Sequence, residues 1–413
     1  MPPITFEIIA SDKNSRARAG IIKTPHGNIE TPYVIPVATR GEIKSLKNED
    51  LELLKVQCLL ANTYHMNLLL KGKNKDLHSV MKFNKPIFTD SGGFQAFSLG
   101  LGREQSTRKI GFFPGERISK LKGENYAKIT EKGVFFKSIY DETEQFIGPK
   151  ESMQIQSDLG SDIIMAFDEC TSAASDKSYI KESMERSHRW ELESLKYHNP
   201  KQALYGIVHG GWFKDLRLAS TKYVSSLPFD GIAIGGSLGK TKKNMYKILD
   251  WITPKLDNKP RHMLGIGWLD DIFECVERGI DTFDCVEMTR IARHGSLYIS
   301  PKAGGSLENK FRIDIAKSIY NSDNSPIDPS CDCFTCKNYT KSEIRSFYKQ
   351  ISIEKESNKR LPKEKQKIDA KMIYGRLATI HNIHFILSLT SQIRNSIIEG
   401  NGSFQKLKSY WLG

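Results

Sequence analysis

Three carboxylates stand at points where the chain turns from apolar to polar, and their surroundings suggest a division of labour. Asp284 closes the run 279–284 and opens Phe283-Asp-Cys-Val-Glu-Met-Thr-Arg290-Ile-Ala-Arg293-His294-Gly295, where a cationic tract follows the acid at once. A carboxylate so placed can attack an electron-poor carbon while the arginines hold an anionic polymer beside it. Asp90 sits in Phe88-Thr-Asp90-Ser91-Gly92-Gly93-Phe94-Gln95. The glycines there admit a planar ligand close to the backbone, and Phe94 offers it a stacking face. Asp168, in Met165-Ala-Phe-Asp168-Glu-Cys170, reads as a buried acid able to accept two N–H bonds from an amidine-like edge. Gly235-Gly236 presents backbone N–H groups to a carbonyl oxygen, and His209, in Val-His-Gly-Gly, can donate to the same oxygen. Singly, each feature also fits a turn, a cap or an ion pair. Together, three acids point to nucleophilic and general acid/base work on a glycosidic carbon.

The elements that must position them follow from the hydrophobic pattern. Short apolar runs recur at 31–38, 57–62, 86–89, 163–168, 203–208, 230–234, 262–266 and 279–284. Helix-period segments lie between most of them, at 42–54, 150–159, 178–197, 213–226, 241–256 and 269–278. Eight strands alternating with helices predict an α/β fold, a (β/α)8 barrel. Asp90, Asp168, His209, Gly236, Gly267 and Asp284 then fall at or just past the strands' C-terminal ends, around the one mouth where barrel chemistry collects. Two stretches interrupt the rhythm. Residues 101–133 carry eight Lys/Arg against four acids and follow the third strand, so they should overhang the mouth. Residues 350–371, dense in Lys and Glu with Pro362 among them, read as a solvated excursion.

Composition narrows the partners. Lys+Arg number 61 against 48 Asp+Glu, a formal charge of +13 that favours a polyanion. No window approaches the ~20 consecutive apolar residues a membrane span needs, and the start lacks the pattern of a secretory signal. Seven cysteines, three of them crowded together, do not read as a disulfide framework and favour a reducing, cytoplasmic setting. Those three, Cys331-Asp-Cys333-Phe-Thr-Cys336, let one tight loop wrap a single ion. A tetrahedral structural zinc site needs one more ligand, and downstream only His381 and His384 can supply it. The reading favours His381, although spacing on one helical face barely separates the two.

These residues resemble those of the tRNA-guanine transglycosylases, or queuine tRNA-ribosyltransferases, over nearly the whole length. The likeness runs through Ala17-Arg-Ala-Gly, Thr24-Pro-His-Gly, Ala61-Asn-Thr-Tyr-His-Met, Thr89-Asp-Ser-Gly-Gly-Phe-Gln, Phe283-Asp-Cys-Val, Thr289-Arg and Arg293-His-Gly to the Cys-x-Cys-x-x-Cys…His signature. In form the chain looks bacterial-type, most like the chlamydial branch. The resemblance implies a barrel with N-terminal strands over 1–304, a zinc-binding subdomain over 305–385 and a C-terminal helical segment over 386–413 that packs on the barrel. It implies exchange of guanine at the wobble position of tRNAs with GUN anticodons (the Asp, Asn, His and Tyr isoacceptors) for a free 7-deazaguanine base, by a homodimer.

Carried over by position, Asp284 resembles the nucleophile and Asp90 the general acid/base. Ser91, Asp168, His209, Gly235, Gly236 and Gly239 would surround the base, with Phe94 and Leu264 sandwiching its ring. Arg290 and Arg293 would grip the anticodon loop, and Cys331, Cys333, Cys336 and His381 would hold structural zinc. His209 stands where the family usually has glutamine, and Leu264 where it often has methionine. Ser237-Leu-Gly239-Lys-Thr241 replaces the common Leu-Ala-Val-Gly-Glu. A glycine for valine at 239 and the missing glutamate at 241 favour queuine over 7-aminomethyl-7-deazaguanine. An archaeosine-type or DNA-modifying relative is the nearest enzymatic alternative. A non-catalytic tRNA-binding subunit would be expected to lack Asp90 and Asp284.

Overall fold

A computed structural model describes residues 2–73, 75–93, 127–138, 143–358 and 369–413. The chain opens with an antiparallel sheet of β1 (Thr5–Ser11), β2 (Arg18–Thr24) and β3 (Gly27–Thr31). The barrel strands are β4 (Tyr33–Ala38), β5 (Leu59–Ala61) and β6 (Ile87–Thr89), then β10 (Ile163–Met165), β11 (Ala203–Val208), β12 (Gly231–Ile234), β13 (Arg261–Met263) and β14 (Thr282–Cys285). They close in that order, every neighbouring pair parallel, with β14 returning to β4. All eight lie within or across the predicted runs.

Alternation along each strand explains the two cores. Ile35, Leu60, Phe88, Met165, Tyr205, Ile207 and Ala233 fill the barrel interior, packed with Ile4, just before β1, and with Ile22 and Ile29 of the N-terminal sheet. The other face of each strand, with Val34, Ile87, Ile164, Leu204, Ile232 and Phe283, packs against the apolar stripes of the surrounding helices. Truncating fully buried Phe88 to alanine would cost about 3–5 kcal/mol by the cavity it leaves. Arg18 fastens the N-terminal sheet to the barrel floor, its Nε and Nη2 reaching buried Asp281 at 2.8 and 2.6 Å.

The helices Pro149–Leu159, Lys177–Tyr197, Lys214–Ser225, Lys242–Ile252 and Leu269–Glu277 match their expected segments within a few residues. The segment expected at 42–54 is helical only over Asn48–Leu53, where Asp50 accepts from the Lys47 N–H to box the first turn. The end of the basic stretch 101–133 and the residues that follow it are structured. β7 (Ala127–Thr130), β8 (Gly133–Lys137) and β9 (Glu144–Ile147) form an antiparallel sheet, with Val134, Phe136 and Ile147 packed on Tyr64, Phe167 and Trp190. Residues 94–126, with Phe94 and most of the predicted overhang, lie outside the described residues.

Beyond the barrel, β15 (Ser296–Tyr298) and β16 (Arg312–Asp314) pair antiparallel, and helices Lys341–Asn358 and Asp369–Glu399 pack on each other. The Lys/Glu-rich stretch is thus helical at both flanks, 350–358 and 369–371, because lysine and glutamate are good helix formers; 359–368 are not described.

Candidate active site

Asp284 points from β14 into the mouth with its side chain 17% exposed. Its Oδ1 accepts from the Gly265 N–H at 2.8 Å and lies 3.3 Å from His262 Nε2. Among the described residues Oδ2 has no such partner, so one carboxylate oxygen is held and the other faces the mouth. His262 is fully buried on β13, opposite Thr282 in register, and its Nδ1 lies 3.0 Å from Thr282 Oγ1. With Nδ1 accepting from the threonine hydroxyl, Nε2–H is the donor that faces Asp284.

Asp90 follows β6 and is held by the start of the helix Thr63–Leu70. Asn62 Nδ2 donates to its Oδ2 at 2.7 Å, and the Thr63 N–H donates to Oδ1 at 2.9 Å. The Gly92 N–H adds a third bond at 3.2 Å, and the Thr63 hydroxyl pins the Asp90 carbonyl. The orphan N–H groups of a helix start suit a carboxylate, so this acid is oriented by backbone as well as side chain.

Asp168, just past β10, is buried, with Ser91 Oγ donating to Oδ1 at 3.3 Å. His209 Nε2 lies 3.3 Å from Asp168 Oδ2, and among the described residues this buried nitrogen has no hydrogen bond. Gly236 stands against His209, since an added Cβ would come to 3.0 Å from Nδ1. Leu264 covers Gly235, whose added Cβ would meet Leu264 Cδ1 at 3.1 Å. The structure therefore gathers Ser91, Asp168, His209, Gly235, Gly236 and Leu264 into one pocket wall.

Gly239 behaves differently from its expected part. At φ +89° its added Cβ would lie 2.5 Å from Asn244 Cβ, so the direction a side chain would take is already filled by the helix Lys242–Ile252. Thr241 caps that helix, accepting from the Asn244 N–H at 3.2 Å.

The two arginines differ as well. Arg290 is 39% exposed and paired with Glu287. Arg293 is half-buried, and its Nη1 has no partner among the described residues. Burial and then the neighbouring Arg290 push its pKa down.

At the metal cluster, His381 Nδ1 lies 3.8, 3.5 and 3.3 Å from the sulfurs of Cys331, Cys333 and Cys336. Such separations are the edges of a tetrahedron with bonds of ~2.0–2.3 Å, so the four donors fit one zinc-like ion. His381 Nε2 donates to the Tyr298 carbonyl at 2.7 Å, which fixes the ring and its tautomer. His384 approaches Cys331 only, at 3.7 Å, and turns Nε2 to Asp332 at 3.1 Å. The fourth donor is His381.

Sequence reasoning passed over His262 and Arg217. His262 hides in an apolar run, and Arg217 lies on an amphipathic helix where an arginine reads as solvent-facing. No helix among the described residues is long and apolar enough to cross a membrane.

A closed parallel barrel that collects three oriented carboxylates at its C-terminal mouth, with a cysteine–histidine cluster beside it, has the build of an α/β-barrel enzyme. The family model for queuine tRNA-ribosyltransferase matches residues 12–356. A putative queuine tRNA-ribosyltransferase of Archaeoglobus fulgidus is 46% identical over the whole of both chains. Queuine tRNA-ribosyltransferases of Roseiflexus and Halothermothrix orenii are 40% and 41% identical, covering 99% and 96% of this chain and 99% and 94% of theirs. The chain belongs to the queuine tRNA-ribosyltransferase family and is an enzyme of that class.

Proposed function

We propose that this enzyme exchanges guanine at the wobble position of GUN-anticodon tRNAs for a 7-deazaguanine base, through a covalent aspartyl-ribosyl intermediate. The carrying observation is the asymmetry at Asp284, with Oδ1 held by Gly265 and His262 and Oδ2 left toward the mouth. In this reading the wobble nucleotide leaves its stack to enter the pocket, as a base-modifying enzyme requires. Oδ2 attacks the ribose anomeric carbon while the C–N bond to guanine breaks, and Asp90 gives the departing base its proton. The incoming base then loses a proton to Asp90 and attacks the same carbon, releasing the Asp284 carboxylate. The ester conserves the glycosidic bond's energy, so no nucleotide is consumed.

Asp168 reads the base's N1–H and exocyclic amine, Ser91 steadies that acid, and His209 with the Gly235–Gly236 turn serves the ring oxygen. Phe94 and Leu264 stack on the base. Arg290 and Arg293 hold anticodon-loop phosphates of the Asp, Asn, His and Tyr isoacceptors. The cysteines with His381 hold a structural zinc ion with no open position for chemistry. A division into barrel (1–304), zinc subdomain (305–385) and C-terminal segment (386–413), a homodimer joined near the zinc region and a cytoplasmic setting complete the proposal.

Queuine is the favoured incoming base. Position 241 carries a hydroxyl engaged as a helix cap, which leaves no carboxylate there for the ammonium of 7-aminomethyl-7-deazaguanine. Gly239 does not enter this argument, since the side chain it lacks would have run into Asn244. Mass spectrometry of wobble nucleosides after competition between the two bases tests the choice, and a strong preference for the aminomethyl base overturns it. Asp284→Ala should abolish the denaturation-stable tRNA adduct while tRNA still binds; an adduct that persists in this variant rules out Asp284 as nucleophile.

A further inference from the structure

Arg217, on the first turns of the helix Lys214–Ser225, is fully buried, and no carboxylate among the described residues pairs with it. Its guanidinium spends itself on backbone carbonyls. Nε donates to Gly211 at 2.8 Å, Nη1 to Val208 at 2.8 Å and Gly235 at 3.0 Å, and Nη2 to Ser237 at 2.8 Å. Burial pushes its pKa down to about 9. An arginine fork suits this task because its donors have fixed directions, which a lysine ammonium lacks.

The four carbonyls belong to the last residue of β11 and to the loops that leave β11 and β12, the loops that carry His209 and the Gly235–Gly236 turn. In a trans peptide the C=O and the following N–H point opposite ways. With the Gly235 and Ser237 carbonyls aimed at Arg217, the N–H groups of Gly236 and Leu238 aim away from the helix layer. Both residues are buried, and neither N–H finds an acceptor among the described residues. Buried backbone donors are rarely left unpaired, so these two imply an oxygen supplied by a ligand. Gly236 also stands against His209, which neighbours Asp168, so these donors belong to the pocket wall already described.

We infer that Arg217 is a positioning residue for base recognition, locking the 235–236 and 237–238 peptides so that their N–H groups form a fixed cradle for the 6-oxygen of the base. This rests on the proposed function, because it takes the pocket at Asp168 as the base site. Arg217 touches neither base nor ribose; it acts through peptide orientation.

The test compares guanine with 6-thioguanine, which keeps the N1–H and amino edge but replaces the oxygen by a weakly accepting sulfur. Both are measured as competitors of exchange in wild type, R217K and R217M, with thermal melts and the rate of adduct formation on tRNA recorded alongside. Wild type should favour guanine. In R217K guanine should weaken about tenfold, the worth of roughly one hydrogen bond, while 6-thioguanine and the KM for tRNA stay close to wild type. R217M should erase the preference further, and R217K carries the test alone where R217M does not fold. A wild type indifferent to the oxygen overturns the base-site reading and this inference with it. A discriminating wild type whose full preference survives in R217K, or an R217K that weakens both bases equally, overturns the role of Arg217 alone.

Discussion

Replacing His262 with leucine isolates what the buried imidazole does for Asp284. The ring is fully buried between Thr282 and Asp284, against Phe88 at 5.4 Å between centroids, and its loss removes one of two bonds to Oδ1. The Gly265 N–H remains at 2.8 Å, so the carboxylate keeps one anchor. A hydrogen bond to a charged acceptor is worth about 1.5–3 kcal/mol, and the 3.3 Å separation places this one at the weak end. In the covalent ester Oδ1 is a carbonyl oxygen, and charge returns to it as the ester breaks, where the same donors stabilise it. A loss of about 1.5 kcal/mol at that barrier slows transfer from the adduct to the incoming base about tenfold. Rapid-quench measurement of preformed adduct after adding the base reads that rate directly. His262→Gln, which restores an N–H donor, should recover most of the rate. Leucine at the wild-type rate, or glutamine no better than leucine, would refute the reasoning.

Two further outcomes test other parts of the structure. Chelation, or Cys333→Ser, should release one metal ion per chain and loosen the subdomain around His381, seen as new protease cleavage near 331–336 before any loss at the barrel; metal loss that stops adduct formation with the subdomain intact would make the site catalytic. At the barrel floor, Asp162 accepts from His26 Nδ1 at 2.7 Å and lies 3.5 Å from His78 Nε2. Burial opposes ionisation of both Asp162 and His78, yet their mutual attraction prevails, raising His78 above its ordinary 6.5 and lowering Asp162 below its ordinary 3.8. The histidine's contribution is therefore full below 6.5 and fades as pH rises through its folded value, while the aspartate's is full above 3.8 and fades as pH falls through its own. His78→Asn should cost most stability in urea titrations near about pH 5.5 and least near about pH 8.5; a loss that is flat with pH would deny the pair any charge.

Much of this frame was legible because parallel strands buried on both faces write continuous apolar runs, and barrel strands end where chemistry begins. Asp90, Asp168 and Asp284 were visible as acids at such ends. His262 was not, because an imidazole inside Arg-His-Met-Leu looks like part of a core. Arg217 was masked by helical periodicity, which gives the face of a residue but not the loop carbonyls above it. Of the sheet β7–β9, β7 was absorbed into the basic stretch 101–133, whose charge hid its alternation, and β8 and β9 are runs of only five and four residues that matched no expected strand. Gly239 misled for a further reason. A missing side chain suggests room, while the positive φ and the neighbouring Asn244 show that the direction it would take is filled.

The helix Asp369–Glu399 joins contacts that sequence separates widely. Arg376 binds Asp50, His381 meets the cysteines, Asn382 bridges Met288, Ser296 and Tyr298, and Arg394 holds the Gly20 and Thr31 carbonyls. Each residue advances a helix by roughly 100° and 1.5 Å, so Arg376 and Arg394 lie about five full turns apart on one face. One residue added or lost between them would swing either the metal ligand or the floor clamp off its partner. The helix is a ruler for the contacts it joins, and its length between Arg376 and Arg394 is fixed by partners in widely separated parts of the chain.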